Sequence, residues 1–212
     1  MSYILKYISQ GEHQQQDFKM RVDDSKKIAK TLSAYANTDG GRLLIGVKDN
    51  GTVCGCNIEE EAHMIEAAAN MYCEPPVSYH TQLWKVDYMN VLEVVIEASE
   101  GRPHFAINEN KKRRAYVRQA DRNIVANGVL LKVWQHEASR HEGNFEYDLE
   151  KEKLFDKFKT REYLGFFAIS RITKLNPAQT EDMLAQLIQW EVVEMEMDGK
   201  KSMFKLSHPV SS

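Results

Sequence analysis

The 212-residue chain is poor in cysteine, in long apolar runs and in surplus positive charge, and each shortage excludes something. Cys54, Cys56 and Cys73 form an odd set with no repeated CxxC spacing, which argues against a disulfide framework. Cys54 and Cys56 would share one strand face, so a metal pair stays open beside the plainer reading of small, half-buried side chains. No run approaches the roughly 18 apolar residues of a membrane span, and the amino terminus lacks a basic start followed by an apolar centre. A cytoplasmic protein with no membrane partner is expected. Lysine and arginine number 28 against 31 acidic residues, a net charge of -3. Contact with nucleic acid therefore has to come from local clustering of charge. No GxxxxGK[ST] motif occurs, and Gly40-Gly41 follows a helical pattern and precedes a strand, the reverse of a phosphate cradle. Bound ATP is therefore not expected. The histidines show no HExxH or other ligand spacing, and no serine, cysteine or histidine nucleophilic set is readable.

What is present is enough apolar material, 42% of the residues, for one domain and a small second one. The stretch from Ser33 to Gly51 is the most informative. Ile28, Leu32, Tyr35 and Ala36 close an amphipathic helix, and Gly40-Gly41 supplies a left-handed stop. Leu43 to Val47 is a buried strand, and Asp49-Asn50-Gly51 is a turn before Thr52-Val53 returns. Further on, Glu59 to Tyr72 is a helix that Pro75-Pro76 cannot continue. Tyr79 to Val86 and Val91 to Ala98 pair around Asp87-Tyr88-Met89-Asn90. His104 to Ile107 and Ala115 to Gln119 flank Asn108-Glu109-Asn110, and an apolar helix from Asn123 to Trp134 closes the domain. This predicts an α+β fold with a mixed sheet.

Positive charge clusters in Lys111, Lys112, Arg113 and Arg114, followed by Arg118 and Arg122. Either the cluster is a solvated hairpin tip or it is an arm whose lysines and forked arginines neutralise phosphates. Both readings expose it.

Ser139 to Asp148 is polar, contains Gly143 and Asn144, and reads as a linker. The predicted division is a domain at 1–138, the linker at 139–148 and a second domain at 149–212. In the latter, helices at Leu149 to Phe158, Phe167 to Lys174 and from Asn176-Pro177 onward precede an alternating strand, Val192 to Met197. An Asp198-Gly199 turn and a return through Met203 to Leu206 follow. Three helices and a hairpin predict a winged helix. From Asn176 through Gly199 there is no lysine or arginine, whereas Glu181, Asp182, Glu191, Glu194, Glu196 and Asp198 are negative. Phosphates would be repelled; only Lys200, Lys201, Arg171 and Lys174 offset this. Protein contact, including a homodimer, fits the module better than reading DNA.

The signature residues also carry a resemblance. Gly11-Glu12-His13-Gln14-Gln15-Gln16-Asp17-Phe18-Lys19, Ala36-Asn37-Thr38-Asp39-Gly40-Gly41 and Gly46-Val47-Lys48-Asp49-Asn50-Gly51 together resemble the AlbA-type domain of the Schlafen superfamily, over residues 1 to about 138. The likeness implies a DNA- or RNA-binding protein with a regulatory role, contacting phosphates through the basic hairpin. It also implies an alternative, a metal-dependent endoribonuclease. There Glu12, Asp17 and Asp49 would hold magnesium or manganese and Lys19 would stabilise developing negative charge. Asp17 departs from the family pattern by replacing the usual glutamate. A third reading is a dimeric interaction module with neither activity.

Overall fold

A computed structural model describes residues 3–139, 147–198 and 201–207. The chain forms two compact units that divide between Ala126 and Asn127.

The first unit contains α1 (Tyr3–Ile8), β1 (Gln16–Lys19), α2 (Ser25–Ala36), β2 (Gly41–Ile45), α3 (Ile58–Met71) and β3 (Cys73–Glu74). These are followed by β4 (His80–Val86), β5 (Met89–Ile96), β6 (Phe105–Ile107), β7 (Arg113–Gln119) and β8 (Arg122–Val125). The strands make two four-stranded sheets, ordered β1-β2-β5-β4 and β3-β6-β7-β8. β1 runs parallel to β2 and β5 antiparallel to it, so the first sheet is mixed, as expected. Strand alternation sorts its side chains. Leu43, Ile45, Leu92, Val94 and Ile96 pack with Ile28, Leu32, Tyr35 of α2 and Ile65 of α3. Leu44 and Val91 face the other way, where Ile4 and Ile8 of α1 cover them together with Phe18.

α2 begins where the Asp24 carboxylate accepts from the Lys26 amide at 2.8 Å, an N-cap. It ends at Asn37, and Gly40 at φ +69° then donates its amide to the Tyr35 carbonyl at 3.0 Å. A Cβ at Gly40 would come within 2.7 Å of the Ile96 carbonyl oxygen, so both the backbone angle and the neighbouring strand require glycine. The helix end is tied to the second sheet by polar side chains. Asn37 Nδ2 donates to the carbonyls of His104 at 2.8 Å and Tyr116 at 2.9 Å, and its Oδ1 accepts from the His104 amide at 2.7 Å. Ser33 Oγ donates to the His104 carbonyl at 2.8 Å, and the Arg118 amide donates to Thr38 Oγ1 at 3.0 Å.

The second unit contains α4 (Gly128–Ser139), α5 (Leu149–Thr160), β9 (Leu164–Gly165), α6 (Phe166–Thr173), α7 (Pro177–Gln189), β10 (Val193–Asp198) and β11 (Lys201–Leu206). Its sheet is ordered β10-β11-β9 and antiparallel throughout. Leu154, Phe158, Ile169, Leu184, Leu187 and Phe204 form the core, joined by Val129 of α4. Asn176 and Gln179 make a reciprocal capping box that starts α7, with Pro177 at its first position.

Several expectations need correcting. The helix expected over Asn123 to Trp134 is instead β8 followed by α4. Ile124 pairs with Val117 across the β7–β8 hairpin, and the helix begins only where Asn127 Oδ1 accepts from the Leu130 amide at 2.8 Å. α4 packs against α7, so the compact unit begins at Asn127 and not after residue 138. Residues 140–146 of the expected linker, Gly199 of the expected turn and the neighbouring Lys200 lie outside the described residues. Thr52-Val53 returns from its turn only as a single bridge between Val47 and Val53; the full partners of β2 are β1 and β5.

Replacing Asn37 with alanine takes the side-chain partner from the His104 amide and the Tyr116 carbonyl in a buried place and leaves the His104 carbonyl to Ser33 Oγ alone. The variant should lose roughly 2–4 kcal/mol of stability in urea unfolding. A loss below about 0.5 kcal/mol, the level of ordinary surface changes, would count against this junction as a structural tie.

Candidate nucleic-acid interface

The basic cluster spans the end of the connection between β6 and β7, at Lys111 and Lys112, and the start of β7, at Arg113 and Arg114. Asn108 organises it, its side-chain oxygen accepting from the amides of Asn110 and Lys112, each at 2.9 Å, while Lys111 takes a left-handed conformation at φ +57°. Lys111, Lys112 and Arg114 are exposed, and no ion pair joins them to other described residues. Arg113 is half-exposed; its Nε lies 3.2 Å from Glu74 and its guanidinium 4.8 Å over the Phe105 ring.

α2 packs against β6 and β7 and adds charge to the same face. Lys26, Lys27 and Lys30 line a cleft of about 210 Å³ with Asn108, Glu109 and Asn110 of the hairpin connection. These lysines were missed in the sequence. Their i, i+1, i+4 spacing opposite the apolar positions of α2 was the available signal, since it places Lys26 and Lys30 on one polar face.

Arg118 and Arg122 do not join this face. Arg122 is the first residue of β8, paired with Gln119 and roughly 20 Å along β7 from the cluster, with its Nε 3.7 Å from Asp121. Arg118 is 4% exposed. Its guanidinium donates to Asp17 Oδ1 at 3.2 Å, the Ala120 carbonyl at 3.1 Å and Asn123 Oδ1 at 3.1 Å, and it sits 5.3 Å over the Tyr35 ring. No phosphate can reach it without breaking that set.

Of the expected metal ligands, Glu12 and Asp17 come together. Glu12 accepts from the Phe18 amide at 2.9 Å and lies within hydrogen-bonding reach of the Asp17 carboxyl. Burial, and then the adjacent Asp17, holds the Glu12 carboxyl above its usual range. Asp17 is 6% exposed and already balanced, since Lys19 Nζ is 2.7 Å from its second oxygen. The Lys19 ammonium also donates to the Phe18 carbonyl at 2.6 Å, which leaves it placed for ion pairing within the fold. Above this cluster the Tyr35 hydroxyl is fully buried without a hydrogen-bond partner among the described residues, and burial pushes its pKa far up.

Asp49 does not join the pair. It is exposed in the turn where the Gly51 amide donates to the Lys48 carbonyl at 2.7 Å, and among the described residues no three histidine, cysteine or acidic side chains gather as a metal site. The expected set of Glu12, Asp17 and Asp49 is therefore not assembled: the buried arginine takes one member and turn geometry accounts for another. Cys54 and Cys56 are half-buried singly, outside any strand, and the Cys56 thiol, pushed up by burial, contacts the carbonyls of Ile45 and Asn90. Buried Cys73 is likewise pushed up to about 12.

Two sheets joined through a helix end, with buried polar side chains at the junction, define an α+β domain of a specific kind. The family model described as Schlafen, AlbA_2 matches residues 12–127, more than half of the chain, and the chain belongs to that family. Among solved structures, the DIP2311 protein of Corynebacterium diphtheriae is 21% identical over 62% of this chain, with a TM-score of 0.43. The chain spans only 28% of that protein's length. The N-terminal domain of a Nitrosomonas europaea protein, named as RecG-related, is 17% identical over 68% of this chain and 96% of its own, with a TM-score of 0.39. No curated protein matches. Among the described residues no helix is long and apolar enough to cross a membrane.

Arg118→Met separates a structural arginine from a phosphate contact. It strands the Asp17 carboxylate with Lys19 alone, and should destabilise the protein by about 3–5 kcal/mol in denaturant unfolding. A variant that kept its stability but lost polynucleotide binding would restore Arg118 to the interface.

Proposed function

We propose that the first unit binds DNA or RNA through its phosphates, in a regulatory role without catalysis. One observation carries the reading: the lysines of α2 line a cleft against the β6–β7 connection, next to which Lys111, Lys112 and Arg114 are exposed, on a protein of net negative charge. Lys111, Lys112 and Arg114 supply the part beside the connection, while Arg113, one residue along β7, turns to the other sheet face with Phe105 and Glu74. Lys26, Lys27 and Lys30 supply the part held on a helix. Asp24, Glu74 and Glu109 reduce the local positive charge but do not outnumber these cations, and Asp24 is engaged as the α2 cap. Contacts of this kind give affinity and little sequence discrimination.

The second unit is assigned a different task. Its order of helix, strand, two helices and hairpin from α5 to β11 supports a winged-helix reading. α7 carries Glu181 and Asp182 with no lysine or arginine, and β10 continues with Glu194 and Glu196. A helix of that charge gains nothing from displacing counterions on a duplex. Protein contact, a homodimer being the simplest case, suits it better.

Alanine at Lys111, Lys112, Arg113 and Arg114 should weaken binding similarly for unrelated sequences. The slope of log affinity against log salt should shrink by about 0.9 for each lost duplex contact, or about 0.7 on single strands. Alanine at Lys26, Lys27 and Lys30 should do the same. Unchanged affinity and slope in both variants, measured by fluorescence anisotropy across a salt series, would remove this face as the interface.

A further inference from the structure

The second unit holds a cavity of about 500 Å³, within the range that encloses a small organic molecule. It opens among the start of α4, the start of α6 and strand β11. Phe204 is fully buried at its wall, and Phe166 and Phe167 meet edge to face at 5.7 Å with their planes at 85°. Phe167 is nonetheless 79% exposed, an aromatic ring left at the rim of an apolar recess.

One polar group in this wall has no counterpart. Glu181 projects from α7, half-buried, with its carboxylate lying where a side chain on Gly128 would be, so that any Cβ at that glycine would collide with it. No hydrogen bond or ion pair engages the Glu181 carboxylate among the described residues. The adjacent Asp182 shows the contrast: its Oδ1 lies 3.0 Å from His136 and 3.7 Å from Lys132. Lys201 lines the same cavity, but it is exposed and lies beyond ion-pair distance of Glu181. The first turn of α4 favours a negative charge there, yet a carboxylate in an apolar recess still lacks a cation.

We propose that this cavity binds a flat aromatic cation, its rings lying among Phe166, Phe167 and Met203 and its positive charge paired with Glu181. The ring faces of the phenylalanines attract cations, and the carboxylate supplies a charge-assisted contact that a neutral ligand cannot use. Lys201, also in the lining, disfavours the same ligand, which makes the two charged residues opposite in their expected effects. The site is separate from the basic face of the first unit, and the proposal stands whether or not that face binds nucleic acid.

The test uses the full chain, freed of nucleic acid, and three fluorescent probes: cationic berberine, neutral N-phenyl-1-naphthylamine and anionic 1-anilinonaphthalene-8-sulfonate. Berberine should bind saturably. Glu181→Gln, which keeps the side chain's shape, should weaken berberine about tenfold or more while changing the neutral probe less than about twofold. Lys201→Ala should tighten berberine, and Phe167→Ala, at an exposed position, should weaken it. Circular dichroism checks that each variant is folded. The proposal fails if berberine does not saturate, if Glu181→Gln leaves its affinity unchanged, or if the anionic probe binds tightest and loses that affinity in Lys201→Ala.

Discussion

The hydrogen bonds of Asn37 at the end of α2 are the constraint on which the first unit depends. One side-chain amide satisfies the backbone of two segments of the second sheet, at His104 and at Tyr116, while its helix packs on the first sheet. Each bond is worth only about 0.5–1.5 kcal/mol net, but their loss strands buried backbone groups, which costs more. Ser33 and Thr38 extend the junction by one helical turn on one side and one residue on the other. The same fixing brings the lysines of α2 alongside the β6–β7 connection. A contact deep in the fold thereby sets the composition of a surface.

A second tie is electrostatic. Asp17 of β1 and Arg118 of β7 belong to different sheets, and their pairing at 3.2 Å, almost out of water, links them. Breaking such a pair costs more than forming it contributes, because the remaining charge is left buried. Glu12 and Lys19 surround the pair, so a constellation that resembles acid and metal chemistry along the chain serves the fold internally. The cations of the hairpin connection and of α2 stay at the surface, outside this buried set. Net charge is then a poor guide to partners here, because local clustering of cations is not visible in the sum.

Much of this was legible in the chain, for physical reasons. α7 announced itself through Asn176-Pro177 and its apolar stripe, and the alternation of Val193 to Met197 marked β10. The α2–β2 boundary was visible because Gly40 must be glycine on two counts. Other features were not. The six residues of α1 are too few for a helical period to stand out, and β9 is only two residues long. The apolar residues of β8 and α4 run together, and only pairing with Val117 separates them. Arg118 could not be told from Arg114 by position, since what buries it lies 101 residues away in sequence. Lys26, Lys27 and Lys30 were overlooked because their significance arises from a neighbour that is distant along the chain.

The central claim is that α2 and the β6–β7 connection form one phosphate-binding face. Photo-crosslinking a 5-iodouracil-bearing oligonucleotide to the full chain, with the attached peptides read by mass spectrometry, tests it most directly. Attachment should fall within residues 105–116 and in or beside 25–36, and disappear as salt is raised. Attachment concentrated in α7 or the β10–β11 hairpin, with residues 105–116 unmarked, would contradict the account.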